Sequence, residues 1–433
     1  MAAQEEMAEE AARLRWPRAA VCATSFVSMG LSVGIIGPLL PFLVEYVKLG
    51  PNGLSACFVA RGIGGFCGSM CGGVATDRFP GHFVVVASLS LLACVTALIP
   101  SAREPGALVF LFFLFDLAIG GLQSCNALIT WTFPASSTSA LNALNGCFGI
   151  GTLIAPLLSL MFGEAHWRWA AVTIALLIIP CACLAYVVPS PRRIDAAKHS
   201  DAGVPLPPLP RRPALVALTV AFLLCVVGAE TTLGAFLVTY VEAIKLPYRA
   251  HAKNGREEGD VLTTTFWVAF TAGRMLMGVI AARLPPRRIL ACELALLAFS
   301  ITLVLAVPGS RGALYVGVIG CGAGLSGCFG GAVGQASELI PLTGRITGLF
   351  CAGAVSGVAL VQLAASQAAR TGPRGIIATV AVASYAAVLI MAALWWLFPT
   401  AAPASADERV EQDALLGGDT ELQELEPRAD GQH

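Results

Sequence analysis

The sequence predicts an all-α membrane protein of twelve transmembrane helices in two groups of six, and three observations carry that expectation. First, the 433 residues are 56% hydrophobic and only 12% charged, with a mean hydropathy of +0.76, whereas soluble domains are about 25% charged and need that polar surface. The apolar surplus must face lipid. Second, a hydrocarbon core of about 30 Å takes roughly 20 apolar residues per helix, and cutting the chain at its charged, Pro and Gly clusters leaves twelve apolar runs of that size. Third, the segment PSPRRIDAAKHSDAGVPLPPLPRRP after the sixth run is too polar for lipid and too rich in Pro for a helix. It divides the chain six plus six.

The spans follow in order from their boundaries. The first, 18–44, ends before Lys48, Gly50 and Pro51; the second, 54–77, stops at Asp77 and Arg78; the third, 83–101, lies between Pro80 and the Arg103, Glu104, Pro105 cluster. The fourth, 107–131, runs toward Pro134; the fifth, 141–162, follows the polar stretch ASSTS; the sixth, 168–189, begins beyond Glu164 and His166. After the linker, the seventh, 213–242, gives way to the charged loop KLPYRAHAKNGREEGD. Pro285, Pro286 and Arg287 separate the eighth, 261–283, from the ninth, 288–308. The tenth, 312–336, follows Pro308, Gly309 and Arg311; the eleventh, 345–368, follows Pro341 and Gly344; the twelfth, 374–398, follows Arg370 and Pro373. The resulting organisation is an N-terminal tail (1–17), a six-helix bundle (18–189), a Pro-rich linker (190–212), a second six-helix bundle (213–398) and an acidic tail (399–433) too polar to order itself. The halves echo each other, with Gly146, Phe148 and Gly151 recurring as Gly348, Phe350 and Gly353.

Cationic loops resist translocation, and Arg13, Arg15, Arg18, Arg78, Arg192, Arg193, Lys198, Arg211, Arg212, Arg283, Arg287, Arg288 and Arg345 all fall on one face. Both termini are therefore expected in the cytoplasm. Trp16, Trp131, Trp167, Trp169, Trp395 and Trp396 sit at span ends, as an interfacial belt requires, and Trp267 lies deeper.

Composition also excludes functions. Lys plus Arg and Asp plus Glu number 27 each, so no charge excess points to a nucleic-acid partner. The five His fall at segment ends, loops or tails, which removes the ligands of membrane haem proteins and intramembrane metalloproteases. The 14 Cys lie mostly in apolar runs and read as small buried hydrophobes, and no metal or other cofactor is implied. The acidic start MAAQEEMAEE does not resemble a signal peptide.

An ionisable side chain at mid-bilayer costs about 2.5 to 3.5 kcal/mol on insertion scales, so it faces a partner or a wet cavity. Arg61, Asp116, Glu230 and Arg274 are the candidates, either as a polar cavity for a hydrophilic solute or as structural ion pairs. Glu230 precedes Gly234 by one turn, with Tyr240 further along the span. It is suited to proton coupling or to accepting hydrogen bonds from sugar hydroxyls. Gln123, Asn126, Asn142 and Asn145 supply amides, which donate and accept as a neutral polyol requires or hold helices together. Trp267 suits stacking on a sugar ring or an interfacial position.

In GGVATDRF, Asp77 and Arg78 follow Gly73 at the inner end of the second span. This resembles the major facilitator superfamily signature, which clamps the two halves when the cavity opens outward. Several further segments, ARGIGGFCGSMCGGVATDRF, LNGCFGIGTLIAPLL, WRWA, GAETTLGAFLVTY, FWVAFTAGRMLMGVIAARLPPRR and GAGLSGCFGGAVGQASE, resemble the group of fucose permease, sodium-dependent glucose transporter 1 and major facilitator superfamily domain-containing protein 4. The resemblance implies a pseudo-twofold bundle, Glu230 in solute or ion handling, and an inner gate from Asp77, Arg78 and Glu338 with Arg274, Arg287 or Arg345. The bacterial permease carries proton-linked acids in its first and fourth helices where this chain has Gly37 and Leu122, so facilitated diffusion and cation coupling both stand.

The expected function is a carrier, acting as a monomer, for a small polar solute such as a hexose, with a coupling proton or sodium ion as possible partner. An organic-anion carrier, motivated by Arg61 and Arg274, and a non-transporting membrane scaffold are the alternatives. In the tail, EQDALL has the acidic-dileucine form, with Glu411, Leu415 and Leu416. It resembles an adaptor-binding signal and implies a plasma or endolysosomal membrane.

Overall fold

The computed structural model describes residues 2–48, 51–162, 166–191, 211–244 and 255–399. The expected sorting motif at Glu411, Leu415 and Leu416 lies outside the described residues, as does most of the linker. Among the described residues there are fourteen α-helices and no strand: α1 (Ala2–Val47), α2 (Pro51–Arg78), α3 (Gly81–Leu98), α4 (Pro105–Leu122), α5 (Cys125–Thr132), α6 (Ser137–Phe162), α7 (Trp167–Val187), α8 (Arg212–Ile244), α9 (Gly255–Ile280), α10 (Pro286–Ala306), α11 (Arg311–Leu325), α12 (Cys328–Leu339), α13 (Gly344–Ala368) and α14 (Arg374–Leu397). One compact unit runs through Met391, and Ala392–His433, whose described part is the end of α14, forms a second.

Fourteen helices make twelve spans because the fourth and the tenth are each built from two. Span four breaks at Gln123 and Ser124 between α4 and α5, and span ten at Ser326 and Gly327 between α11 and α12. The sequences at the two breaks, GLQSCN and GLSGCF, share Gly-Leu-x-x-Cys. Gly and Ser are weak helix formers, and the chain there tightens into i→i+3 bonds, Gln123 N–H to Gly120 O at 3.2 Å and Ser326 N–H to Ala323 O at 3.3 Å. Among the described residues, ten helical segments are long and apolar enough to cross a bilayer. The first helix, α1, starts at Ala2 and so runs through the residues expected as the N-terminal tail, while its span-like part begins at Arg13. Its Ala and Glu residues favour helix, with the acids near the positive end of the dipole.

In the first half α1 packs on α6 and α7, α2 on α4, and α3 on α4 and α7; in the second, α8 packs on α9 and α13, α9 on α11, and α10 on α11 and α12. The largest seams between the halves are α2 with α13 and α6 with α9, and α12 also packs on α6. They explain the internal echo. Gly151 lies against Gly30 of α1 as Gly353 lies against Val220 of α8, and Gly146 meets Met275 of α9 as Gly348 meets Gly73 of α2. Each pair thus anchors its helix to its own half and to the opposite one. The absent Cβ is what permits this approach.

Trp16, Trp169 and Trp396 are exposed, as a belt residue should be. Trp131 is not free at an interface; its indole donates to Leu342 O at 3.1 Å across the halves. All fourteen Cys are free thiols, but Cys71, Cys94, Cys183 and Cys292 are exposed rather than buried. A thiol is apolar enough to face lipid.

Filling a seam has a measurable cost. A Cβ at Gly151 would fall 2.7 Å from Leu31 N and 2.9 Å from Gly30 Cα, whereas one at Gly106 meets nothing within 4 Å. Gly151→Val is expected to destabilise the detergent-purified protein by about 1–3 kcal/mol, while Gly106→Val stays within about 0.5 kcal/mol of the parent. Thermal unfolding of the two variants side by side checks this.

Candidate functional site

Two charge pairs are built into the interior. Gly64 and Gly68 bring α2 onto the α4 backbone at Phe113 and Leu117, which sets Arg61 opposite Asp116. The guanidinium binds both carboxylate oxygens, Nε to Oδ2 and Nη2 to Oδ1 at 3.5 Å, with its carbon 5.7 and 5.9 Å from the ring centroids of Phe115 and Phe112. Asp116 is 8% exposed. In the second half, Arg274 of α9 reaches Glu230 of α8 through Nη2, at 3.4 and 3.5 Å from the two oxygens. These groups are 5% and 4% exposed. Arg274 also donates from Nε to Ser326 O at the break in span ten (3.2 Å) and from Nη1 to Asn145 O of α6 (3.5 Å), and it lies over the Phe270 ring at 4.0 Å. One guanidinium therefore ties α8, α9, the α11–α12 break and the opposite half. Buried charges persist only with such compensation.

The amides gather at the break in span four. Asn126 donates from Nδ2 to Gln123 Oε1 at 2.8 Å and approaches Cys351 Sγ of α13 at 3.8 Å, and the Gln123 amide lies 3.9 Å from Met29 Sδ. Asn142 and Asn145 turn their amide nitrogens to their own helix, at Thr138 O (3.1 Å) and Leu141 O (2.8 Å). Asn126 Oδ1, Asn142 Oδ1, Thr232 Oγ1 and Thr271 Oγ1 are buried hydrogen-bonding atoms with no protein partner. Trp267 is half-buried, packed edge-on to Phe266 and Phe270 at 5.1 and 5.5 Å. A Cβ at Gly234 would fall 2.5 Å from its ring, so this glycine makes room for the indole. Tyr240 is fully buried in α8.

A latch joins the halves at the Arg-rich end. Asp77, the end of α2, accepts from Gly344 N–H at 2.7 Å and Arg345 N–H at 2.9 Å, the first turn of α13, with Arg345 Nε at 3.9 Å. A carboxylate at a helix N-terminus is favoured by the unsatisfied N–H groups and the dipole. The Trp131–Leu342 bond, Ser137 Oγ to Ser337 Oγ at 3.1 Å, and Ser139 Oγ to Gly278 O complete it. Arg78 and Glu338 are exposed nearby. Arg274 takes no part in this latch; the structure brings it to Glu230 and not to Glu338.

Sequence reasoning overlooked Glu293 of α10. It is 3% exposed and accepts at Oε1 from Gly327 N–H (2.7 Å) and Ser326 Oγ (3.4 Å). The signal was an acid inside the apolar run ILACELALL, masked by the neighbouring Arg287 and Arg288, which make it read as a span end. A second cluster, Glu258 with Arg311 Nε at 3.0 Å and Tyr315 OH at 2.9 Å, pins α9 to α11.

Known proteins share this fold. A family model described as the Major Facilitator Superfamily matches residues 22–255. The chain is 24% identical over 371 residues to sodium-dependent glucose transporter 1A of Mus musculus, covering 77% of this chain and 85% of that one. To sodium-dependent glucose transporter 1 of Homo sapiens it is 24% identical over 379 residues, 78% and 70%. Among solved structures, FucP, the E. coli fucose:proton symporter, in its outward conformation superimposes with a TM-score of 0.70 at 18% identity, covering 87% of this chain and 98% of FucP.

The Arg61–Asp116 pair predicts an asymmetric response to substitution. Arg61→Met, which leaves Asp116 buried without its partner, is expected to cost about 3–5 kcal/mol, and Arg61→Met with Asp116→Leu much less, because removing both charges also removes the desolvation penalty. Unfolding midpoints of the single and double variants test it; equal losses would mean the pair is not a unit.

Proposed function

The chain belongs to the Major Facilitator Superfamily, and from that membership we propose that it is a multi-pass secondary carrier moving a hexose or related sugar by alternating access, with a coupling cation. The family is one of carriers, and transport by rocking of two halves needs no covalent step. The observation that carries the reading is that four of the buried hydrogen-bonding atoms without a protein partner, Asn126 Oδ1, Asn142 Oδ1, Thr232 Oγ1 and Thr271 Oγ1, come from both halves. A buried polar atom left unpaired costs about 1–3 kcal/mol. Hydroxyls of a sugar, or the water that precedes it, would meet that demand. A filled apolar scaffold would have no use for these groups.

The charge pairs favour a neutral solute over a carboxylate. Arg61 and Arg274 already hold Asp116 and Glu230, so an anion would have to displace a buried carboxylate from each. The names of the glucose-transporting relatives and of the fucose:proton symporter point the same way. We place the Arg-rich end, with its closed latch at Asp77, in the cytoplasm; the arrangement described is then shut on the inside.

Purified protein in liposomes should take up labelled hexose saturably and labelled carboxylates not at all. Glu230→Gln should lower hexose uptake roughly 10- to 100-fold, the loss expected when a charge-assisted hydrogen bond of about 1.5–3 kcal/mol disappears. Carboxylate flux without hexose flux would establish the anion carrier instead, and no flux from folded protein would favour the scaffold.

A further inference from the structure

We propose that Glu293 is the proton-carrying residue of this carrier, loaded at the break in span ten. The inference rests on the carrier reading above and adds the identity and place of the coupling ion.

The first half is balanced charge for charge, Arg61 against Asp116. The second half is not. Arg274 stands between two acids, Glu230 at 3.4 Å and Glu293 on the far side of Ser326, so the cluster holds one carboxyl more than it holds guanidinium. An uncompensated buried charge is among the costliest features a membrane protein can keep. One added proton removes it. Among the described residues the titratable surroundings supply no other cation: α9 contributes Arg274, already on Glu230 from α8, and α12 contributes the Cys328 thiol, a neutral group that faces the Glu293 carboxyl and also reaches Gly324 O at 3.2 Å. On α11, Arg311 and Tyr315 are engaged by Glu258, which leaves the buried Cys321 thiol.

Geometry assigns the proton to one oxygen. Gly327 N–H donates to Oε1 at 2.7 Å, and the Ser326 hydroxyl, whose nearer partner is Ala323 O at 2.7 Å, stands 3.4 Å from the same oxygen, while Oε2 is buried and takes no bond from either. That is the division a neutral acid makes, a carbonyl oxygen that accepts and a hydroxyl left over. A Cβ on Gly327 would collide with the carboxyl group, so glycine is what lets the acid sit directly on the broken backbone. A proton needs only this one carboxyl. Uptake turns the carboxylate into the acid with a proton from water on one side, and release returns that proton to water on the other; nothing is oxidised or cleaved. Glu293 lies about 10 Å along α10 from its Pro286 start, at roughly 1.5 Å per residue, so parting of the latch would bring the Arg-rich side's water toward it.

The test uses the full chain in lipid nanodiscs without solute. Infrared difference spectra between acidic and alkaline buffer should show a carboxylic-acid C=O band that Glu293→Gln abolishes and Glu230→Gln retains. The glutamine keeps an oxygen for Gly327 N–H and so preserves the fold. Should it fail to fold, Glu293→Asp substitutes, with a shifted band expected. A band untouched by either Glu293 variant overturns the proposal, and so does a band removed at fixed pH by exchanging potassium for sodium. In liposomes, Glu293→Gln should still exchange labelled D-glucose but lose at least tenfold of the accumulation driven by an imposed proton gradient. If the parent moves no D-glucose while the band behaves as stated, the sugar reading falls and the proton site stands.

Discussion

A charge taken out of water has to be answered within a few ångströms, and much of this interior is arranged around that requirement. Arg61 can stay in α2 only because α4 comes close enough to present Asp116, and it comes that close because Gly64 and Gly68 have no side chain to hold it off. Arg274 is more demanding. Its guanidinium is shared among a carboxylate, two backbone carbonyls and an aromatic face, so the positions of α8, α9, α6 and the second break are set jointly. Attraction between charges grows as the dielectric falls, and so does the penalty for missing a partner.

The two interruptions in spans four and ten follow the same logic for the backbone. A helix that stops inside the bilayer frees N–H and C=O groups, and these are tolerated only where protein or water satisfies them. The halves solve the problem with different chemistry. Beside the first break stand neutral amides, Gln123 and Asn126. At the second, Arg274 takes the Ser326 carbonyl and Glu293 the Gly327 amide. A pseudo-symmetric frame therefore carries two unlike polar centres, one suited to hydroxyl groups and one to ions.

Much of the fold was legible because its signals are one-dimensional. Apolar runs between Pro and charged clusters located the spans, and the repeated Gly-Phe-Gly pattern marked equivalent contacts in the two halves. The breaks were less visible, since the residues of GLQSCN and GLSGCF are tolerated in continuous membrane helices and interrupt them here through tertiary partners. The four interior charges could be named from sequence, but not who pairs with whom: Arg274 stands nearer in sequence to Arg283, Arg287 and Arg288 at the Arg-rich end than to Glu230, and only the crossing of α8 and α9 decides. Glu293 was hidden by its basic neighbours, because hydropathy counts a charge near a helix start as a boundary. The Asp77 contact was readable through resemblance, while its true acceptor role, toward backbone N–H groups of α13, required three dimensions.

The seams between the halves have a mechanical meaning. Where helices meet through long interlocked side chains, moving one past the other forces every rotamer on the way to repack. Here α2 meets α13, and α6 meets α9, largely through glycine and other small residues, more like a polished bearing than a zip. Such a surface has few interlocked rotamers, so the halves are fixed against each other largely by discrete bonds, Asp77 to the first turn of α13 and Arg274 to Asn145 O across α9 and α6.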